Sequence, residues 1–305
     1  MAYALLVPCY NAAAYIDGFI ENIGQLLKPF DQVIFYDDAS TDNTAQLLKS
    51  KGFEVIKGEI NQGPGYARNI LAKRSDCEWF HFHDIDDRLD PPYLTRVAAI
   101  AEKNDADVVL CNVNWYDSQS NNLVLSWAYS DSEIIKDPLA YTITHPIGGI
   151  NGLYKKTKFI ETGGFNTAIR IWEDADIHVK LAGKGAKFRV IEEVLSYSIR
   201  HPDTASSDQG LGWQIRANLL QDYYNAFEEA STRIAIGTQA QLVASRLILS
   251  NSYAAARKAL ELSELCNVKV PLSTSGIWRL FKIILPAWLR IKLRSVQLKI
   301  AFNKS

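Results

Sequence analysis

Three aspartates stand within four residues, at Asp84, Asp86 and Asp87, directly after an apolar segment. Like charges at this density repel one another unless a cation or a ring of hydrogen-bond donors compensates them. Mn2+ or Mg2+ suits such a cluster, because hard cations prefer oxygen ligands and complete their shell with water and substrate phosphates. The pattern therefore predicts a divalent-metal site that acts on a diphosphate compound.

Further polar residues stand directly after two earlier apolar segments. Tyr10 and Asn11 follow the first segment, and Asp38 follows the second. Asparagine and aspartate often cap helices or shape turns, so Asn11 and Asp42, taken singly, are interpreted as caps. Because these positions and Asp84 all follow strands, we expect them to lie on one rim of the sheet. Tyr10, Asn11 and Asp38 are therefore counted among the candidate ligand-binding residues.

The segments between these residues alternate between short strands and helices. After Asn11, apolar residues recur up to Leu27 at the spacing of a helix that is buried on one side. The predicted strands are 3–8, Val33–Tyr36, Phe53–Ile56, Trp79–Phe82 and Val108–Val113. The predicted later helices are Thr44–Ser50, Tyr66–Ala72 and Pro91–Ala101. This alternation predicts an α/β fold with a mainly parallel sheet flanked by helices, which binds its ligand at the carboxyl ends of the strands.

The regular alternation stops near residue 120, and the sequence becomes helical after a polar, turn-rich run at 202–210. We therefore predict a catalytic domain over 1–209 and a C-terminal helical region over 210–305. The first domain is divided into a nucleotide-binding half, about 1–115, and an acceptor half, about 116–209. One further strand is predicted at Leu123–Trp127.

The bulk composition is that of an ordinary globular protein, with 48% hydrophobic residues and a formal net charge of −1. This charge indicates no partner class, and we predict no nucleic-acid binding. The four cysteines are far apart and have no zinc-site spacing, which favours a reducing cytoplasm. The first residues are too short a segment for a secretory signal, and no apolar run reaches the roughly 18 residues of a membrane span.

Other nucleotide-binding motifs are missing from the sequence. No G-x-G-x-x-G follows the first strand and no P-loop motif occurs, so dehydrogenase and P-loop interpretations are not supported. Gly63 and Gly65 are consistent with a plain turn that starts a helix. We expect Arg68, one turn into that helix, to reach toward the donor. His81 and His83 alternate along a predicted strand, and we interpret them as packing residues and not as zinc ligands.

Taken in order, the motifs match those of a known family. They are VPCYN at 7–11, YDDASTDNT at 36–44, NQGPGYARN at 61–69 and DIDD at 84–87. They are followed by GGF at 163–165, WED at 172–174 and YSIRH at 197–201. This series resembles family 2 glycosyltransferases with the GT-A fold, over about residues 1–205. One departure is Ala39, where the family usually has glycine.

The resemblance implies an inverting transfer of one sugar from a nucleotide-diphosphate sugar, with uridine as the expected base. The acceptor would be a hydroxyl of a glycan or of a lipid-linked glycan. The implied roles are a base pocket at Pro8 and Tyr10, a base or ribose contact at Asp38, a position near the nucleotide for Arg68, donor contacts at Asp84 and Asp86, metal binding at Asp86, Asp87 and His201, and a catalytic base at Asp174. The extra aspartate leaves open which carboxylate binds the metal directly. Glu173 and Asp174 also suit the N-terminal charges of a helix.

Two other classes of protein share parts of this pattern. A sugar-nucleotidyl transferase also has an α/β nucleotide site with acidic metal ligands, but it is expected to carry a Gly-rich loop with basic residues after the first strand. A non-catalytic nucleotide-binding scaffold protein would keep the fold and lose the carboxylates, which are all present here.

The segment 276–305 is strongly basic and has no acidic residue. If 287–303 is helical, apolar residues form a stripe flanked by cations, which is the pattern of a helix that lies at an anionic membrane surface. The members of the stripe are Leu289, Leu293, Val296 and Ile300. Packing on the rest of the protein is the alternative. We therefore predict a cytoplasmic protein with peripheral contact at the inner face of the membrane as an option.

Overall fold

The computed structural model describes residues 1–103, 105–148, 151–201, 209–269, 285–286, 289–293 and 295–296. The strands are β1 Tyr3–Cys9, β2 Gln32–Asp37, β3 Glu54–Lys57, β4 Trp79–Phe82, β5 Arg88–Leu89, β6 Val108–Asp117, β7 Leu123–Trp127, β8 Gly152–Lys155 and β9 Phe188–Arg200. The helices are α1 Ile16–Gly24, α2 Thr44–Ser50, α3 Pro64–Arg74, α4 Tyr93–Ala101, α5 Asp131–Ile134, α6 Pro138–Thr144, α7 Lys156–Glu161, α8 Glu173–Gly183, α9 Gln209–Ala226, α10 Ala230–Leu249 and α11 Tyr253–Leu265. A short 3-10 helix, Ala13–Tyr15, precedes α1.

All nine strands belong to one sheet, in the order β3-β2-β1-β4-β8-β6-β9-β5, with β7 paired to β6. The strands β3, β2, β1 and β4 are mutually parallel, so their carboxyl ends meet at one edge. The next strand, β8, runs antiparallel to both β4 and β6, while β9 is parallel to β6. The predicted α/β class is confirmed, and the parallel part of the sheet is the part that carries the candidate site.

The core explains why the first strand is a continuous apolar run. Every residue of β1 is buried, because helices cover both faces of the parallel part of the sheet. Aromatic side chains such as Phe19, Phe35 and Trp79 fill this core and are at most 2% exposed. Each buried side chain of this size contributes roughly 1.5–3 kcal/mol of transfer free energy. This core therefore stabilises the strands whose carboxyl ends carry the candidate site residues.

The predicted and observed elements differ in several places. Helix α1 ends at Gly24 and does not reach Leu27, which is 73% exposed. Glycine is a poor helix former, which favours an end at Gly24, and Pro29 disfavours helical geometry at Lys28. Strand β8 and the long strand β9 were not predicted, since their burial depends on the partners β4 and β6. The short strand β5 and the helices α5, α6 and α7 were not predicted either.

The chain forms two compact units. The first comprises Met1–Pro138 and His145–Thr204, and the second comprises Leu139–Thr144 and Ala205–Ser305. In the second unit, α10 packs between α9 and α11, and Leu219 and Tyr223 of α9 are buried. The functional division at 115 and 209 stays a prediction. Within the described ranges, none of the helices combines the length and apolar character that crossing a bilayer requires.

The predicted amphipathic helix over 287–303 lies largely outside the described residues. The described positions 289–293 and 295–296 are helical, with Leu293 49% and Val296 52% exposed. Arg290 contacts Glu264 and the carbonyl of Lys269. Ile300 is outside the described residues, so membrane contact stays a prediction.

Candidate active site

The loops that follow β1, β2 and β3 are tied together at the carboxyl edge of the sheet. The side-chain Oδ1 of Asn11 accepts a hydrogen bond of 2.8 Å from the amide of Thr41, and the amide of Asn11 donates to Oγ of Ser40 at 2.8 Å. Asn11 has a φ of 50°, a left-handed geometry that asparagine tolerates well. Its side chain therefore links the first two loops, and its role in donor binding stays a prediction.

Pro8 and Tyr10 flank the end of β1. Strand β4 pairs with β1 over Tyr3–Leu6 and not at Pro8, so the missing amide hydrogen of buried Pro8 costs no bond to β4. Tyr10 lies just beyond the strand and is 50% exposed. An exposed aromatic ring at this edge is a suitable surface for a flat base.

Asp38 is buried, and its carboxylate accepts bonds from the loop after β3. Oδ2 accepts from the amide of Gly63 at 2.7 Å, and Oδ1 accepts from the amide of Gln62 at 2.9 Å. The expectation for Asp38 was contact with the base or ribose. In this structure the side chain shapes the loop that leads into α3, and contact with the nucleotide stays a prediction.

The sequence predicts that Arg68 reaches toward the donor; the structure shows which protein groups it contacts, and contact with the donor stays a prediction. Arg68 is 3% exposed and lies among three carboxylates from two distant parts of the chain. Its Nη2 lies 2.8 Å from Oδ1 of Asp84, and its Nη1 lies 3.0 Å from Oδ1 of Asp174 and 3.5 Å from Oε1 of Glu173. The physical reason is charge, because burial of these acids requires a cation and a guanidinium can bind two of them at once. Arg68 is therefore a positioning residue for the carboxylates.

The three aspartates after β4 point in different directions. Asp84 pairs with Arg68, and Oδ2 of Asp86 lies 3.1 Å from Nε2 of His201. Asp87 is 5% exposed and accepts bonds from Oγ of Ser198 and the amide of Ile199 in β9. Burial raises the pKa of the Asp87 carboxyl well above its usual range, with further contributions from the two neighbouring aspartates. The Asp87 carboxylate therefore anchors β9, and direct binding of a metal by Asp87 stays a prediction.

Asp86 and His201 retain the features of a cation site. Nε2 of His201 is buried 3.1 Å from Oδ2 of Asp86, and no well-aligned hydrogen bond from the described residues satisfies it. Burial raises the pKa of Asp86 above its usual range, and the charge of Asp84 adds to the shift. Within the described part of the chain, no three carboxylate, imidazole or thiolate side chains converge as a metal cluster. A cation here would take Asp86 and His201 as protein ligands and complete its shell with phosphate and water, as Mg2+ often does.

The acidic pair Glu173 and Asp174 begins helix α8 and directly follows Trp172, whose backbone conformation is unusual. Trp172 has a φ of 71°, in the left-handed region, which is costly for a bulky side chain and is typical of functional sites. Asp174 keeps 30% of its side chain exposed, whereas Glu173 keeps 9%. Burial raises the pKa of Glu173 to about 7, aided by Asp174 and opposed by Arg68. Asp174 is therefore the member of the pair that an acceptor can reach.

Two buried residues below Asp174 were missed in the sequence. Nδ1 of His178 lies 2.5 Å from the carbonyl of Asp174, and its Nε2 lies 2.8 Å from the hydroxyl of Tyr154 in β8. Burial lowers the pKa of His178 to about 4, so the ring is neutral at physiological pH. A neutral ring that donates from Nδ1 and accepts at Nε2 satisfies both bonds. The i, i+4 spacing of Asp174 and His178 on α8 was the available signal in the sequence that His178 lies next to the turn of Asp174.

His81 and His83 are packing residues, as predicted. Both are fully buried, their ring centroids are 5.6 Å apart, and His81 packs against Tyr93 at 4.8 Å. Burial lowers the pKa of His81 to about 3 and that of His83 to about 4, so both are neutral.

The comparisons with known proteins agree with this geometry. The model of the family "Glycosyl transferase family 2" matches residues 4–163. An uncharacterized glycosyltransferase of Haemophilus influenzae is 27% identical over 231 residues, which are 72% of this chain and 76% of that protein. The poly(ribitol-phosphate) beta-N-acetylglucosaminyltransferase TarS of Staphylococcus aureus is 31% identical over 117 residues, but these are 36% of this chain and only 20% of TarS.

Two solved structures share the fold. TarS 1-349 of S. aureus, in complex with UDP-GlcNAc, superposes with a TM-score of 0.65 at 18% identity and 88% coverage of each chain. The mannosyltransferase PcManGT of Pyrobaculum calidifontis, in complex with GDP-Man and Mn2+, gives a TM-score of 0.62 at 15% identity, with 96% of this chain and 86% of that chain covered. The predicted GT-A type fold is therefore confirmed.

Proposed function

We propose that this chain, which belongs to glycosyl transferase family 2, is an inverting enzyme that moves a sugar from a UDP-linked donor to a hydroxyl of a glycan or lipid-linked acceptor. Glycosyl transfer itself follows from the family and the relatives. The configuration, the base, the metal and the residue roles are our proposals. A sugar-nucleotidyl transferase and a non-catalytic scaffold protein both fit the family less well.

The observation that carries the proposal is the gathering of Asp84 and Asp174 around Arg68. These carboxylates come from loops 90 residues apart in sequence, yet both lie within 3.0 Å of one guanidinium. The arrangement places Asp84, in the carboxylate cluster after β4 that is proposed to bind the metal and the donor diphosphate, beside Asp174 at the start of α8. A glycosyl transfer needs these two functions side by side, because the leaving group and the attacking hydroxyl meet at one carbon.

Asp174 is the proposed catalytic base. It removes the proton of the acceptor hydroxyl as the oxygen bonds to the anomeric carbon, a role that contributes roughly a hundredfold or more in rate. Its exposure of 30% leaves it accessible, and Arg68 together with the Tyr154–His178 bond holds its helix turn in place. Direct displacement with a single base inverts the anomeric carbon, by the logic that separates inverting from retaining glycosidases. An α-linked donor then gives a β-linked product.

A divalent cation, Mn2+ or Mg2+, is proposed between Asp86 and His201, and the Mn2+ in the PcManGT complex supports it. When bound, such a cation offsets the charge that grows on the departing diphosphate. Asp86 supplies an oxygen ligand, His201 supplies the imidazole nitrogen, and Asp87 fixes the end of β9 two residues before His201. Asp84 is kept as a donor contact, next to Arg68.

The nucleotide is proposed to bind at Pro8, Tyr10, Asn11 and Asp38, and the UDP-GlcNAc in the TarS complex supports uridine as the base. The four cysteines are free and buried, in agreement with a reducing compartment. A cytoplasmic location, with peripheral membrane contact through 276–305, completes the proposal.

A donor screen tests this function. The full chain is incubated with UDP-, GDP- and CMP-linked sugars in Mn2+, in Mg2+ and in excess chelator, and release of the free nucleotide is measured. We expect turnover of a UDP-linked sugar that is lost in chelator. If turnover persists unchanged in excess chelator, the proposed metal is not required. If none of the donors is turned over and none stabilises the protein thermally, the proposed function is contradicted.

A further inference from the structure

A cleft of about 850 Å³ lies within the second unit, between α9 and α11. It is distinct from the candidate active site, since none of the residues named above lines it. Its size falls in the range of small-molecule sites, about 300–1,000 Å³. Its walls are formed by amides, one serine, one tyrosine, one lysine, several alanines and one leucine. No aspartate or glutamate is among the described residues that line it.

One wall is a row of amide side chains along α9. Gln214, Asn218 and Gln221 line the cleft, and Asn225 continues the row beyond it. Their i, i+4, i+7, i+11 spacing places them on one face of the helix. Solvent-facing helix positions usually carry charges, and this row carries none. Its ends are held, because Nε2 of Gln221 donates to Oδ1 of Asn225 at 3.2 Å and Nε2 of Gln214 donates to Oγ of Ser252 at 3.3 Å.

The opposite wall presents an aromatic ring beside small side chains. Tyr253 is 39% exposed, and its hydroxyl donates to Oδ1 of Asn251 at 3.0 Å, which fixes the ring at the mouth of the cleft. Ala254, Ala255 and Ala259 follow on α11 and leave room in front of the ring. Among the described residues of the lining, Lys258 is the one that carries a charge.

We propose that this cleft binds a short carbohydrate segment. Each sugar hydroxyl both donates and accepts hydrogen bonds, and a primary amide does the same, so a neutral row of amides complements a polyhydroxyl chain. The apolar C–H face of a pyranose packs on an amphipathic ring such as that of Tyr253. A polyanion would call for several cations, and the part of the lining that the structure describes offers Lys258 alone. The identification of the segment as part of the acceptor or product glycan rests on the proposed function.

Saturation-transfer NMR on the full chain tests the inference, with chitohexaose and maltohexaose as neutral probes and poly(glycerol phosphate) as an anionic probe. We expect at least one neutral probe to bind, and we expect Asn218→Ala combined with Tyr253→Ala to weaken it by about tenfold or more. Asn218→Asp is a second variant that keeps the side-chain shape and removes the donor, and it is expected to weaken binding even if the double variant folds poorly. Asp222→Ala on α9 and Arg257→Ala on α11 are matched controls outside the lining and should bind as the parent does.

The outcomes separate this inference from the proposed function. Donor turnover is measured on the same samples, and the cleft variants should retain it. If a donor is turned over while no neutral probe binds, or while binding is unchanged in both cleft variants, the inference is overturned and the proposed function stands. Binding of the anionic probe alone also overturns it. Absence of donor turnover contradicts the proposed function, whereas probe binding that is sensitive to the cleft variants still supports the cleft as a carbohydrate site.

Discussion

Nη1 of Arg68 lies 3.0 Å from Oδ1 of Asp174, so helix α3 is joined directly to the carboxylate that we propose as the catalytic base. The same guanidinium holds Asp84 through its other terminal nitrogen. A single buried cation therefore sets the distance between the two carboxylates.

Replacement of Arg68 should impair both catalysis and folding. Arg68→Lys keeps one charge but cannot bind two carboxylates with two nitrogens, so we expect a large loss of turnover with a modest fall in Tm. Arg68→Ala leaves Glu173 buried without its cation and should cost about 1–3 kcal/mol. This figure is below the 3–5 kcal/mol typical of a broken buried pair, because Asp84 and Asp174 reach water. Steady-state kinetics and thermal melts measure the two effects.

Arg74→Lys is the matched control on the same helix. Arg74 pairs with Glu54 at the surface, so its change should leave turnover unaltered and stability within about 0.5 kcal/mol. Full turnover in Arg68→Lys would show that the guanidinium does not set the carboxylate geometry.

Glu173 should make stability fall as pH rises. The folded pKa of Glu173 is about 7, against an ordinary value of 4.5, so between these pH values the folded state holds the extra proton. Stability therefore declines from about pH 4.5 to about pH 7, and the penalty is fully present above pH 7. Glu173→Gln removes the titration, and it should stabilise the protein by about 1–3 kcal/mol at pH 8 and by far less at pH 4.5.

Thermal melts of the parent and Glu173→Gln at both pH values test this, with exposed Glu133→Gln as the control. An equal difference in Tm at the two pH values would mean that Glu173 is not held in its protonated form by burial.

Ala39 stands in a left-handed conformation, with a φ of 62°, at the position where the family usually has glycine. The left-handed region costs an L-residue roughly 1–2 kcal/mol in the folded state, and glycine relieves this strain. Glycine also raises the conformational entropy of the unfolded chain, which lowers stability by about 0.4–1 kcal/mol. The first effect is the larger, so Ala39→Gly should stabilise by about 0.5–1 kcal/mol. Ala99→Gly in α4 is the control and should destabilise by a similar amount. A lower Tm for Ala39→Gly would contradict the argument from strain.

Asp86 and Asp87 should separate into a ligand and an anchor. Asp86→Ala should lose the thermal stabilisation that Mn2+ with UDP gives the parent, while its Tm without metal changes little. Asp87→Ala leaves the amide of Ile199 and the hydroxyl of Ser198 without their acceptor, which should cost about 1–3 kcal/mol without any metal. If the Tm of Asp87→Ala equals that of the parent, Asp87 does not anchor β9.

The sequence was sufficient for the parallel part of the sheet and for the rim residues, because strand and helix periodicities are local and the carboxyl ends of parallel strands share one edge. It was not sufficient for the directions of side chains. Arg68 turns inward because acids distant in sequence need a buried cation, and Asp87 turns toward β9 because that strand offers two donors. Neither β9 nor the bond between Tyr154 and His178 has a local signal, since both depend on contacts between distant segments.

The measurement that tests the central claim most directly is donor turnover by the parent and by Asp174→Asn, with binding of UDP in Mn2+ measured on the same samples. Asparagine is nearly isosteric with aspartate but cannot take a proton, so we expect turnover to the acceptor to fall by roughly a hundredfold or more. Binding of UDP and metal should remain within a factor of a few. If Asp174→Asn transfers sugar at the rate of the parent, Asp174 is not the base and the account of the site is contradicted.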